Sequence, residues 1–283
     1  MKAVGKVREL WRYPVKCMGG ERIESGVFSA SGLRGDRRWA LRDENRREIC
    51  TGHLMPSLAR CRARYLHEPE HDESAPVALI FPDGSSARSD SPGVHDHLTS
   101  VLGHPLTLWP VVDADEADHY RRKAEPLEAL AMAENGDPPG AQGKPRDGSA
   151  RPAGTGEFVT RPGTYHRLAP IHLVTTASLA FMRTTGLDLD GSVARFRPNA
   201  LLEATRPGRA LPETEWIGRV LAVGDARVYI TGTVTRSVAP GTDPAAPSSF
   251  DPTAGHADGH PGVYGEVVRA GEVREGDTVH LMD

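Results

Sequence analysis

Lys16 and Cys17 stand side by side in YPVKCMGGE (13–21), with Gly19 and Gly20 just beyond them. A cation beside a thiol, in a stretch that glycine keeps flexible, is the kind of setting that activates cysteine as a nucleophile. Lys16 follows a strand that Pro14 ends, where a point charge can meet a phosphate. Arg37, in GLRGDRRWAL (32–41), lies in a turn-to-strand segment, and its planar fork can clamp the same anion. Arg38 is the next strand residue and is expected on the opposite, solvent-facing side. Cys50 and Cys61 fall in or beside expected strands and read as packing residues. His256 and His260 have HxxxH spacing, but on a Gly/Pro loop that spacing does not bring two rings to one helix face.

The elements that must position these groups are mostly strands. KVRELWRYPV, RIESGVFSA and RRWALRDE each alternate apolar or aromatic with polar residues, and Ser31-Gly32 and Asp43-Glu44-Asn45 separate them as turns. PVALIFPDG ends in a Pro-Asp-Gly turn. A helix is expected over 93–102, closed by Gly103. From about 124 the composition changes, and 136–156 is rich in Pro, Gly and Ala with no apolar period, which predicts a flexible linker or flap. The acidic run 113–118 reads as a solvated face. APIHLVTTASLAFMRTTG then predicts a strand, a Thr cap and a helix stopped at Gly186, with a second short helix capped by Asp190. The closely spaced strands after it suggest a barrel or sandwich. The expected fold is therefore mixed α+β and β-rich. It has a β-barrel-like domain over 1–110, a linker with a Pro/Gly-rich insert over 111–164, and a second barrel domain over 165–283.

Composition narrows the class. The chain has 283 residues, 25% of them charged, and a formal charge of −4, with basic residues scattered along it. Phosphate-backbone binding needs a concentrated basic face, so a nucleic-acid protein is not expected. No apolar run approaches a membrane span, and the N-terminus has no secretory h-region. Three cysteines without a CxxC pair argue against a disulfide framework and for a reducing cytoplasm.

Five segments in order carry a family resemblance: YPVKCMGGE, GLRGDRRWAL, the Thr51 to Leu58 stretch, RFRPNALLE (195–203) and TVTRSVAP (233–240) with GVYGEVV after it. Together they resemble the MOSC (molybdenum cofactor sulfurase C-terminal) family with its N-terminal β-barrel domain, whose relatives include the mitochondrial amidoxime-reducing component. The resemblance implies a molybdenum-cofactor site and an oxidoreductase acting on small N- or S-containing molecules, served by a redox partner. It assigns phosphate and pterin contacts to Lys16, Cys17 and Arg37, and the second-domain wall of the pocket to Arg197, Asn199 and Arg236. Cations and a soft or anionic ligand are what an anionic phosphate and a dithiolene-bound metal require.

Three positions depart from the family pattern. The metal-binding cysteine that follows an Arg in relatives is Ser237 here, after Arg236. A hydroxyl is a poor metal ligand unless the metal acidifies it, so Ser237 at the metal position changes the chemistry. Cys17 replaces a serine, and His53 replaces an arginine, bringing an acid–base group that arginine cannot be. Cys17, His53 and Ser237 are thus the catalytic candidates. The alternative functions are a metal-free lyase or sulfur-handling enzyme built on Cys17, and a non-catalytic carrier of the cofactor.

Overall fold

The first strand shows how the sequence builds this fold. Strand β1 (Lys2–Arg12) buries Gly5 and Val7, then Leu10 and Arg12, so its inward face changes from odd to even positions. The change coincides with a register shift between Val7 and Glu9, a β-bulge that turns the strand as it leaves the barrel. In the computed structural model the described residues are 1–52, 54–123, 157–184, 193, 196–205, 211–234 and 261–282.

The strands that follow are β2 (Glu21–Ile23), β3 (Ser25–Ser29), β4 (Gly32–Leu33), β5 (Trp39–Asp43), β6 (Glu48–Ile49), β7 (Arg62–Tyr65), β8 (Val77–Ile80) and β9 (Ser86–Arg88). After helix α1 (Val94–Leu102) come β10 (Leu106–Pro110), the short α2 (Ala117–Tyr120), β11 (Ile171–Thr175) and α3 (Thr176–Thr184). The last strands are β12 (Ala200–Ala204), β13 (Val220–Val223), β14 (Ala226–Thr233), β15 (Val263–Arg269), β16 (Gly271–Arg274) and β17 (Thr278–Leu281).

Seven of these strands close a barrel in the order β1-β12-β11-β15-β14-β13-β17 and back to β1. Its pairs are antiparallel except β11–β12, and a parallel pair needs a crossover. Helix α3 lies in that connection and packs Leu179 and Met182 with Val174, Phe196 and Leu201. The interior is filled by Val7, Leu10, Ile171, Leu173, Leu202, Leu221, Val228, Ile230, Val263 and their neighbours. The mixed, β-rich class read from the sequence is what the chain adopts.

A second core holds the other lobe, where Val15, Met18, Leu41, Leu58, Leu79, Leu98 and Leu106 come together. It is sandwiched among the sheets β10-β5-β6 and β7-β8-β9 and helix α1. Gly103 closes α1 at φ 66°, with its N–H on the Thr99 carbonyl, as the sequence predicts. Pro-Asp-Gly after β8 makes the expected turn, with Gly84 at φ 84°.

Strand pairing adds two features to the boundaries expected from the sequence. The division at 110 and 165 treats each lobe as one contiguous stretch, yet β1 closes the C-terminal barrel and β3 pairs with β16. Phe28 and Leu33 share the barrel's core. An alternating strand does not declare its partner, and Gly5 pairs with Ala204 across most of the chain. The linker expected over 111–164 is packed at both ends: Tyr120, Val159 and Tyr165 are buried with Ala40 and Ile49, and Arg121 bridges Phe158. Aromatic side chains supply there the burial that the Pro/Gly stretch lacks. The flexible insert 136–156, the helix expected after Asp190 and the HxxxH pair lie outside the described residues.

Candidate functional site

Where β1 ends, the chain turns through Tyr13 and meets the loop that carries Asp36 and Arg37. The Tyr13 N–H donates to Asp36 Oδ1 at 2.8 Å, and the Arg37 N–H donates to the Tyr13 carbonyl at 2.8 Å. Asp36 Oδ2 accepts Arg37 Nη1. Arg37 is in a turn rather than in β5, at φ 51°, and its side chain is buried. The left-handed backbone aims it inward, whereas Arg38 donates Nη2 to the Asp72 carbonyl at the protein's edge.

The C-terminal lobe closes on this turn from the opposite side. Arg197, at φ 56°, donates Nη1 to the Met18 carbonyl and Nη2 to the Val15 carbonyl at 3.4 Å. Arg37 Nη2 donates in return to the Arg197 carbonyl at 3.4 Å. Both guanidinium groups lie over the Tyr13 ring, at 5.4 Å for Arg37 and 4.5 Å for Arg197. Lys16 is held by its own N–H on the Trp39 carbonyl and donates Nζ to the Tyr165 carbonyl at 3.2 Å. Three cations from both lobes thus meet at one buried seam.

Asn199 stands two residues from Arg197, but its side chain turns into the junction of β11 and β12. Its Oδ1 accepts the His172 N–H at 3.0 Å, and its backbone N–H donates to the His172 carbonyl at 2.7 Å. Nδ2 is buried with no hydrogen-bond partner among the described residues. Cys17 is half-buried at φ 68° and packs on the N-terminal core, with Sγ 3.9 Å from the Cys50 carbonyl. Burial pushes the Cys50 thiol far up and the Cys61 thiol up to about 11, so both are inert packing groups.

Cys17, Arg37 and Arg197 are three of the five non-glycine residues in left-handed backbone among those described. Side chains rarely adopt that conformation, and it clusters where structure is fixed for a purpose. The seam also holds residues that the sequence reading passed over: Tyr13, Asp36 and His166. Asp36 was legible, since it lies inside GDRRW between a turn glycine and the arginines. His166 follows Tyr165 in a stretch without a motif, and only folding brings its Nδ1 to 4.0 Å from Asp36 Oδ2. Burial, then Arg37, hold the His166 imidazole neutral, with its pKa lowered to about 3. His53, Arg236 and Ser237 lie outside the described residues. Among the described residues, no three His, Cys, Asp or Glu side chains group as a metal would require, and no helix is long and apolar enough to cross a membrane.

Comparison with known proteins agrees with this two-lobed plan. A family model described as the MOSC N-terminal beta barrel domain matches residues 4–122, and one described as the MOSC domain matches 160–280. No curated protein matches the chain. Among solved structures, the crystal structure of the YUAD protein from Bacillus subtilis is similar over 98% of this chain and 95% of that one. The identity is 12% and the TM-score 0.41, a likeness too loose to carry an argument.

Proposed function

The chain belongs to the MOSC-domain family, and on that premise we propose that it is an enzyme binding the molybdenum cofactor at the seam between its lobes. MOSC domains are found in molybdenum cofactor sulfurase-like proteins and related enzymes. The observation that carries the reading is the convergence of Arg37 and Arg197, from the two lobes, over the Tyr13 ring, with Lys16 tied across the lobes to the Tyr165 carbonyl. Such a set of ammonium and guanidinium groups suits a phosphate better than a neutral ligand.

The residues fit the organic part of the cofactor. Arg37, oriented by Asp36, and Lys16, anchored on Tyr165, are the groups that would hold the phosphate. Arg197 is fixed by two carbonyls of the facing lobe, while Asn199, turned toward His172, braces the β11–β12 junction behind it. Ser237 would stand at the metal position by sequence, with Arg236 before it. When bound, the cofactor would supply the electron transfer that reduces a small N- or S-containing substrate. The protein's own residues bind, orient and neutralise charge.

A second reading, metal-free chemistry by Cys17, is favoured by one observation: a half-buried thiol on a left-handed residue next to Lys16. Elemental analysis of protein from a cofactor-competent host separates the two. Measurable but substoichiometric molybdenum in the parent, lost in the Lys16→Ala/Arg37→Ala double variant, is the expected result. Turnover without molybdenum that requires Cys17 favours the second reading.

A further inference from the structure

We propose that His166 couples anion binding at the seam to uptake of a proton, so that the imidazole becomes imidazolium when a dianion is seated against Lys16 and Arg37. This rests on the seam being an anion site, and it assigns a residue that neither the family pattern nor the sequence motifs single out.

The seam is built of groups that only donate. An ammonium and two guanidinium groups have no acceptor. The carboxylate of Asp36 is already engaged, Oδ1 by the Tyr13 N–H and Oδ2 by Arg37 Nη1. His166 therefore remains as a side chain there that can take a proton and keep it at neutral charge balance. Residues 165 and 166 face the site together: the Tyr165 carbonyl holds Lys16 Nζ, and the next ring stands 4.0 Å from Asp36 Oδ2, beyond hydrogen-bond distance. On its other side, Gly32 (φ 109°) faces Nε2, and a Cβ there would come within 3.4 Å of that nitrogen and 2.9 Å of the Pro170 carbonyl. A side chain at position 32 would crowd that edge of the ring.

The charged groups whose fields act on the ring are Arg37, Asp36, Lys16 and Arg38, of which Asp36 lies 4.0 Å away. Burial and the three cations disfavour the imidazolium, and Asp36 alone favours it. A dianion seated on Lys16 and Arg37 offsets those cations and adds attraction of its own. One proton then moves from solvent to the imidazole, and no other bond changes. By linkage, the anion must bind more tightly as pH falls.

Sulfate is the probe, because it stays dianionic through the range tested and any proton taken up belongs to the protein. The His166 Cε1–H resonance is followed by NMR from pH 7 to 4.5, in sulfate and in chloride at equal ionic strength. His166→Gln, or His166→Asn if the first folds poorly, assigns the signal. We expect titration about two pH units higher in sulfate, and about a fourfold rise in sulfate affinity from pH 7 to 4.5 beyond that of His166→Gln. The variant is the needed baseline, since a chain with a pI near 6.3 gains positive charge overall as pH falls. Sulfate binding that is lost in Arg37→Ala, with an unmoved His166 resonance and the same pH slope in His166→Gln, overturns this inference alone. If no sulfate binding is sensitive to Arg37→Ala, the seam is not an anion site, and both readings fall.

Discussion

The Arg197 guanidinium lies 4.5 Å over the Tyr13 ring while donating to the Met18 and Val15 carbonyls, so one side chain of the C-terminal lobe pins the turn that leaves β1. Replacing it by lysine keeps the charge but removes the planar fork that reaches two carbonyls and covers the ring. Arg197→Ala should cost about 2 kcal/mol, the scale of charge-assisted hydrogen bonds, and lower Tm by roughly 5 °C. Arg197→Lys should recover less than half of that loss. Thermal denaturation of the three proteins measures it, and a lysine variant as stable as the parent would show that the fork geometry is unimportant.

Much of this architecture could be read from residue patterns because its rules are local. Alternation marked the strands, Gly103 marked the end of α1, and the Pro-Asp-Gly turn marked the stop after β8. Pairing is not local, and for that reason β1 and β3 joined the C-terminal strands without any sequence signal. The site divides in the same way. Lys16, Arg37 and Arg197 were legible through their motifs, and folding brings them to one seam. The turn of Asn199 toward His172 depends on the β11–β12 junction, and His166 enters beside Tyr165, which is held by Lys16, Pro110 and His119 from distant parts of the chain.

Glu213 makes stability depend on pH. Its carboxyl is fully buried, with Oε2 accepting from Thr175 Oγ1 at 2.7 Å and Ser178 Oγ at 2.6 Å, while Oε1 is buried without a partner among the described residues. Burial raises its pKa above the ordinary 4.5, and the hydrogen bonds from Ser178 and Thr175 oppose the shift. A carboxyl that is harder to ionise when folded gives stability that is fully present below the unfolded pKa and is lost as pH rises through the folded one. Denaturant titrations at several pH values should show the parent weakening from about pH 4.5 upward. Glu213→Gln, which keeps an acceptor for Thr175 and Ser178, should lack that fall. Parallel curves for the two proteins would count against an uncharged, buried Glu213.

Access separates the three thiols. Cys17 is half-buried, while Cys50 and Cys61 lie in the core with their ionisation pushed up by burial. Limiting iodoacetamide on the folded protein should therefore modify Cys17 at least about tenfold faster than the other two, because the thiolate is the reactive form. Peptide mass spectrometry at timed quenches reads the order directly. Equal labelling of all three cysteines in native protein would mean that the N-terminal core opens freely.

The Arg236-Ser237 pair decides how far this chain has moved from its relatives, and its consequence follows from ligand chemistry. A thiolate is a soft ligand that ionises readily, whereas a serine hydroxyl binds well only if the metal acidifies it. Ser237→Cys should therefore raise molybdenum content at least about threefold over the parent when both are made in the same cofactor-competent host. Lys16 and Arg37 are untouched by that change, so the proposed phosphate contacts stay constant and the comparison isolates the proposed metal position. Cys17→Ser serves as the counterpart. If the parent carries little molybdenum and turns over substrate only with Cys17 present, catalysis belongs to the thiol beside Lys16. If the parent already holds one molybdenum per chain and Cys17→Ser retains full kcat, Ser237 acts as an oxygen ligand and the thiol is a packing residue. Because Cys17→Ser also disturbs the backbone next to Lys16, kcat and KM must be measured separately: a rise in KM at unchanged kcat reports weakened binding rather than a lost nucleophile.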